Sequence, residues 1–113
     1  MIDFACKKLD LNQVIRCSLG ITKTEQELLN LLLGKDWVTA GEVEKSLSIS
    51  LATAQRSLKN LHEKELIERR QQNLDKGGYL FFYKAKDKEF IKSQLRSILK
   101  SWMDNVDDSL NAW

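Results

Sequence analysis

Between Val38 and Tyr83 the hydrophobic pattern changes its period once, and that change limits the folds open to the chain. Val43 and Leu47, then Leu51, Ala54, Leu58 and Leu61, recur at three- and four-residue steps, the spacing of helices with one buried face. From Leu66 to Asn73 and from Tyr79 to Ala85 the residues alternate like strands instead, on either side of Leu74-Asp75-Lys76-Gly77-Gly78. A glycine pair at a hairpin tip accepts positive backbone dihedrals without steric cost. Ser48-Ile49-Ser50 leaves room only for a tight turn between the two helices, with Ile49 plugging the core and Ser50 capping the second helix. Helix, turn, helix and hairpin is the order of a winged helix-turn-helix, whose second helix commonly enters a DNA major groove.

The remainder fits the same frame. There is no proline, which suits a mostly helical protein, and glycines mark the breaks. Leu9, Leu11, Val14, Ile15 and Leu19 space an amphipathic N-terminal helix that Gly20 stops. Thr22 with Glu25, or Thr24 with Glu27, offers a capping box for the next helix, where Leu28, Leu29, Leu31, Leu32 and Leu33 supply most of the core before Gly34. Trp37 and Val38 read as a short strand or turn, and Thr39 with Glu42 as another capping box. The expected fold is mainly α (α+β), one domain over 1–113. An N-terminal helix covers 1–20, the winged helix-turn-helix 21–86, and a long C-terminal helix 87–113.

That last helix carries two neighbouring seams. One is Ile91, Leu95, Ile98 and Trp102; the other is Leu99, Met103, Val106, Leu110 and Trp113. Each follows the four-three step of a coiled-coil seam, and together they are wider than packing on a small domain requires. A homodimer through this helix is expected, with the N-terminal helix as a second contact.

Net charge is only +2, but it is unevenly spread. Residues 50–86 hold eight Lys or Arg against four Asp or Glu, whereas 1–49 hold six against seven and 87–113 four against five. The positive field thus falls on the second helix and the hairpin, where a DNA reader needs it. The outward face of that helix would present Ser50, Ala52, Thr53, Gln55, Arg56, Lys59 and Asn60. Arg, Gln and Asn can make paired hydrogen bonds to guanine or adenine edges, and Ala or Thr can meet a thymine methyl. On the wing, Arg69, Arg70, Gln72 and Lys76, with Gln71 and Asn73 beside them and Gly77-Gly78 at the tip, would hold phosphates or enter the minor groove.

Other chemistries find little support. Cys6, Cys17 and His62 form no four-ligand zinc pattern, so no metal or cofactor is expected. On one helix the two cysteines would stand about 16 Å apart, too far for a disulfide. Buried, inert thiols are expected, with a thiol switch or a metal shared across a dimer as the alternative. No Ser/His/Asp or Cys/His set and no phosphate-cradling loop points to an enzyme, and Asp104, Asp107 and Asp108 read as a solvated helix face. No apolar run approaches membrane length and no signal peptide is present, so the protein is expected in the cytoplasm.

The pieces TKTEQELLNLLL, VTAGEVEKSLSISLATAQRSLKNLHEKELIERR and LDKGGYLFFYKA resemble the winged-helix domain of archaeal TrmB-like transcription regulators, relatives in shape of the MarR group. LRSILKSWMDNVDDSL resembles the C-terminal dimer helix of short members. The resemblance implies a DNA-binding regulator whose helix from Ser50 reads the major groove through Thr53, Gln55, Arg56 and Lys59. It departs from the pattern at Glu44, commonly alanine, and at Ser48 and Glu65, commonly glycine. Glu44 is acceptable only where it is partly exposed. Larger members carry a sugar-binding domain that is not matched here, so no sugar ligand is carried over, and no residues mark a small-molecule effector. The competing reading is a winged helix used for protein contact within a macromolecular assembly, since fold alone does not fix function.

Overall fold

The computed structural model describes residues 2–113. In chain order its elements are β1 (Ile2–Asp3), β2 (Lys8–Leu9), α1 (Leu11–Leu19), α2 (Lys23–Leu33), α3 (Ala40–Leu47), α4 (Leu51–Glu63), β3 (Ile67–Asn73), β4 (Tyr79–Ala85) and α5 (Lys88–Ala112). They group into two compact units, Thr22–Lys88 and the segments either side of it.

Within Thr22–Lys88, local side-chain hydrogen bonds set the helix starts. The Thr22 hydroxyl accepts from the Glu25 amide at 3.1 Å, and the Glu25 carboxylate accepts from the Thr22 amide at 2.9 Å. This reciprocal pair opens α2 and accounts for the burial of Glu25. At α3 only half of the expected box forms: Thr39 accepts from the Glu42 amide at 3.3 Å. Ser50 opens α4 by accepting from the Thr53 amide at 3.1 Å.

The core of this unit joins Leu28, Leu29 and Leu32 of α2, Val43 of α3, Ala54, Leu58 and Leu61 of α4, and Val38, Leu66, Ile67 and Tyr83. α4 packs on α2, α3 and β3, while α2 also meets β4. Leu31, Leu33, Leu47 and Ile49 are only half-buried, as is Glu44, which meets the condition its charge imposes. Leu51 corrects the expected stripe. It is 42% exposed, because as the first residue of α4 it stands at the helix end, beside its exposed cap Ser50. β3 and β4 pair antiparallel from Ile67 opposite Ala85 to Asn73 opposite Tyr79. Val38 adds a short third rung through two 2.8 Å backbone hydrogen bonds with Tyr83.

The other unit departs from expectation at its start. Residues 1–20 are not one helix: β1 and β2 form a small hairpin, with Asp3 opposite Lys8, before α1 begins. Asp10 is the reason. Its carboxylate accepts from the Gln13 amide at 2.8 Å, and its own amide donates to the Gln13 side chain at 3.0 Å. That box starts the helix after Leu9, which therefore lies on β2. Gly20 ends α1 in the left-handed conformation, φ 66°, as expected. Cys6 lies in the turn between β1 and β2 and Cys17 on α1, and both are free and exposed, contrary to the expectation of burial. No described helix is long and apolar enough to cross a membrane.

Ser48 and Glu65, both at positions expected to favour glycine, adopt left-handed φ of 54° and 62°. For an L-residue that conformation costs roughly 1–2 kcal/mol, part of which glycine returns through its freer unfolded chain. Glu65→Gly is therefore expected to stabilise the fold by about 1 kcal/mol. Urea denaturation measures this, and an unchanged or lowered midpoint would show that Glu65 makes a compensating interaction.

Candidate nucleic-acid interface

The surface is built on α4. Because Ala54, Leu58 and Leu61 are fully buried and Ser57 nearly so, the helical period turns the opposite side to solvent. Ala52, Gln55, Arg56 and Lys59 stand there, all exposed, at steps of three, four and seven residues along one stripe. Ala54 brings only a methyl group to the crossing, which permits a close approach of neighbouring helices. The thirteen-residue rod is about 20 Å long.

The other expected contact residues of α4 are less free. Thr53 and Asn60 are half-buried. Ser50 donates its hydroxyl hydrogen to Thr53 Oγ1 at 2.8 Å and also accepts from the Thr53 amide. Both hydroxyls are thus committed to starting the helix. Among the described residues, Gln55, Arg56 and Lys59 have no hydrogen-bond or ion-pair partner, so their polar ends are available.

Strand register sorts the wing residues. Arg69, Gln71 and Asn73 share a face with Tyr83, Phe81 and Tyr79. Glu68, Arg70 and Gln72 share the other with Lys84, Phe82 and Leu80. The expected donors therefore divide between two faces rather than forming one row. Each arginine rests on a ring: Arg69 lies 4.4 Å from the Phe81 centroid and Arg70 lies 4.7 Å from that of Trp37. Gln71 donates to Asn73 Oδ1 at 3.3 Å. Tyr79, Phe81 and Tyr83 form an edge-on ladder with centroids 5.0 and 6.4 Å apart, running from exposed tip to buried base.

At the tip, the Leu74 amide donates to the Gly78 carbonyl and the Gly77 amide to the Leu74 carbonyl, each at 3.1 Å. Gly77 and Gly78 take φ of 90° and 81°, the conformation expected of them. Lys76 is exposed beside them. Trp37 is the participant that sequence reasoning missed. Its contact with Arg70, 33 positions away, has no local signal in the sequence.

On α5, Ile98, Leu99, Trp102, Met103, Val106 and Leu110 are exposed, from 37% at Ile98 to 65% at Met103, and Trp113 just beyond the helix is 99% exposed. Ile91 and Leu95 differ: the chain itself buries the first and half-buries the second. The open part of the seam therefore begins at Ile98. No group of three or more described His, Cys, Asp or Glu residues is arranged to hold a metal.

Comparison with known proteins agrees with this architecture. A possible transcriptional regulator from Methanosarcina mazei Go1 is 41% identical over all of this chain and 96% of its own, with a TM-score of 0.93. An uncharacterised protein of Methanocaldococcus jannaschii is 27% identical over 100 residues, 88% of this chain and 82% of that protein. A MepR variant of S. aureus, solved bound to an oligodeoxyribonucleotide, shares the fold at 23% identity and a TM-score of 0.55, over 87% of this chain and 69% of its own. The model of the family described as sugar-specific transcriptional regulator TrmB matches residues 15–89, which take in α2, α3, α4, β3 and β4 entire. The chain is a winged-helix protein that belongs to the TrmB family of transcriptional regulators.

Proposed function

We propose that the protein regulates transcription as a homodimer bound to a two-fold-related DNA site, with α4 of each copy in a major groove and each wing on the flanking backbone. One observation carries this reading: the outward stripe of α4 presents Gln55, Arg56 and Lys59 exposed and without protein partners. A guanidinium in that position suits the O6 and N7 acceptors of guanine, and Gln55 suits adenine. Ala52 and the Thr53 methyl would meet a thymine methyl, with Asn60 at the far end of the helix. Ser50 serves as the cap, and its place at the helix N-terminus puts free amides toward a phosphate. Arg69, Arg70, Gln72 and Lys76, with the Gly77-Gly78 tip, would hold the backbone on either side of the wing. The MepR structure shows that this fold can carry DNA.

The dimer reading rests on α5. Its exposed Trp102, Met103, Val106 and Leu110 make an apolar surface of a kind that monomers avoid. Pairing two such faces would bury it, and a two-fold-related site calls for two α4 helices about 34 Å apart, one turn of the duplex. Such a regulator would act in the cytoplasm.

Arg56→Ala is expected to weaken binding to the selected site by about 1–3 kcal/mol and to relax base preference at one position. Binding titrations against matched and scrambled duplexes measure both, and equal losses on the two would contradict base reading by Arg56. Lys76→Ala should instead weaken all duplexes alike and lower the salt slope by about one unit. Val106→Glu with Leu110→Glu should give a monomer in light scattering, while a monomeric parent protein would remove the dimer. A winged helix used for protein contact would show no salt-dependent duplex binding at all.

A further inference from the structure

We propose that Trp37 is a positioning residue of the duplex-binding surface, its indole holding the Arg70 guanidinium so that the guanidinium edge faces a phosphate. The inference rests on the reading of the wing as a backbone clamp.

Trp37 lies outside both the reading helix and the hairpin, in the connection between α2 and α3. Its neighbour Val38 is buried and tied to Tyr83 by two 2.8 Å backbone hydrogen bonds. On the other side, Asp36 pairs with Lys84 at 3.3 Å. The connection is thus stitched to β4 both before and after the indole. Side chains alternate along an extended segment, so burial of Val38 sends Trp37 to the opposite face of the sheet. That face carries Arg70, Phe82 and Lys84. With Asp36 engaged by Lys84, the Arg70 guanidinium meets a ring, 4.7 Å from its centroid, rather than that carboxylate.

The chemistry of the pair is complementary to an anion. Stacking occupies the flat face of the guanidinium and leaves its in-plane N–H donors for paired bonds to phosphate oxygens. A carboxylate partner would have consumed those same donors. Arginine is flexible, and ordering such a side chain at an interface ordinarily weakens binding by roughly two- to ten-fold. Trp37 removes that loss by restricting Arg70 before the duplex arrives. The Arg69–Phe81 pair is less separable, because Phe81 also belongs to the aromatic ladder of the wing.

The test is a cycle of Trp37→Leu, Arg70→Ala and the double variant. Anisotropy of a labelled mixed-sequence duplex of about 30 base pairs, long enough for two half-sites with flanks, reports affinity. Trp37→Leu is expected to weaken binding roughly two- to ten-fold alone but to add nothing in the Arg70→Ala background. Trp37→Phe, which keeps a ring beneath the guanidinium, should recover most of the loss. Losses that multiply in the double variant, or no loss in Trp37→Leu when Arg70→Ala does weaken binding, overturn the positioning role and leave the DNA reading intact. Binding unaffected by Arg70→Ala removes that arginine from the clamp and the inference with it. A parent protein that binds no duplex overturns the DNA reading itself. Thermal melting of each variant separates these outcomes from loss of fold, and a loss that Trp37→Phe fails to recover despite native melting also overturns the proposal.

Discussion

Burial of one side of α4 is the constraint on which the rest of the molecule depends. Ala54, Leu58 and Leu61 are wholly withdrawn from solvent. Each buried leucine contributes roughly 1.5–3 kcal/mol. Rotating the helix to hide any of its polar residues would expose these. The packing that holds the fold together therefore also determines which side chains face outward. No separate interaction is needed to aim Gln55, Arg56 and Lys59 away from the core, because the helical period does it.

The cations of α4 are left free by the same economy of contacts. Ion pairs join Lys84 to Asp36 and Lys92 to Glu89, both at the surface, where such pairs contribute little to stability. Backbone hydrogen bonding and apolar burial carry the fold, so Arg56 and Lys59 of α4 and Lys76 of the wing remain available to a polyanion. The wing is held likewise: its base is pinned by Ile67, Tyr83 and the Val38 rung, and its arginines lie on rings rather than in carboxylates.

What could be read from the sequence was local. Thr22, Thr39 and Ser50 cap their helices because a cap needs only residues three positions apart. β3 and β4 were legible from period two and a glycine pair, and α5 from its long apolar repeat. The misses share a cause. The β1–β2 hairpin has two-residue strands, too short to show a period, and Asp10 looked like one more polar position on a helix rather than its cap. Leu51 has the right phase but stands at the very start of α4, and periodicity reports phase, not coverage. The Trp37–Arg70 contact depends on a chain segment too distant for any local pattern to report. The exposed face of α4 was legible because it lies opposite the apolar stripe that pattern reading detects; which of its residues are already engaged, as Ser50 and Thr53 are, was not.

The hairpin tip has one further consequence. A side chain built on Gly77 or Gly78 would meet nothing within 4 Å. These glycines therefore answer a torsional demand rather than a spatial one. Asparagine and aspartate, which visit the left-handed region most readily after glycine, are the natural substitutes as such a chain diverges, whereas valine or isoleucine would be shut out by backbone torsion alone. Each replacement would also place a new functional group at the extremity of the ribbon with nothing to obstruct it. Diversification at this spot can thus retune what the ribbon touches while leaving the interior undisturbed.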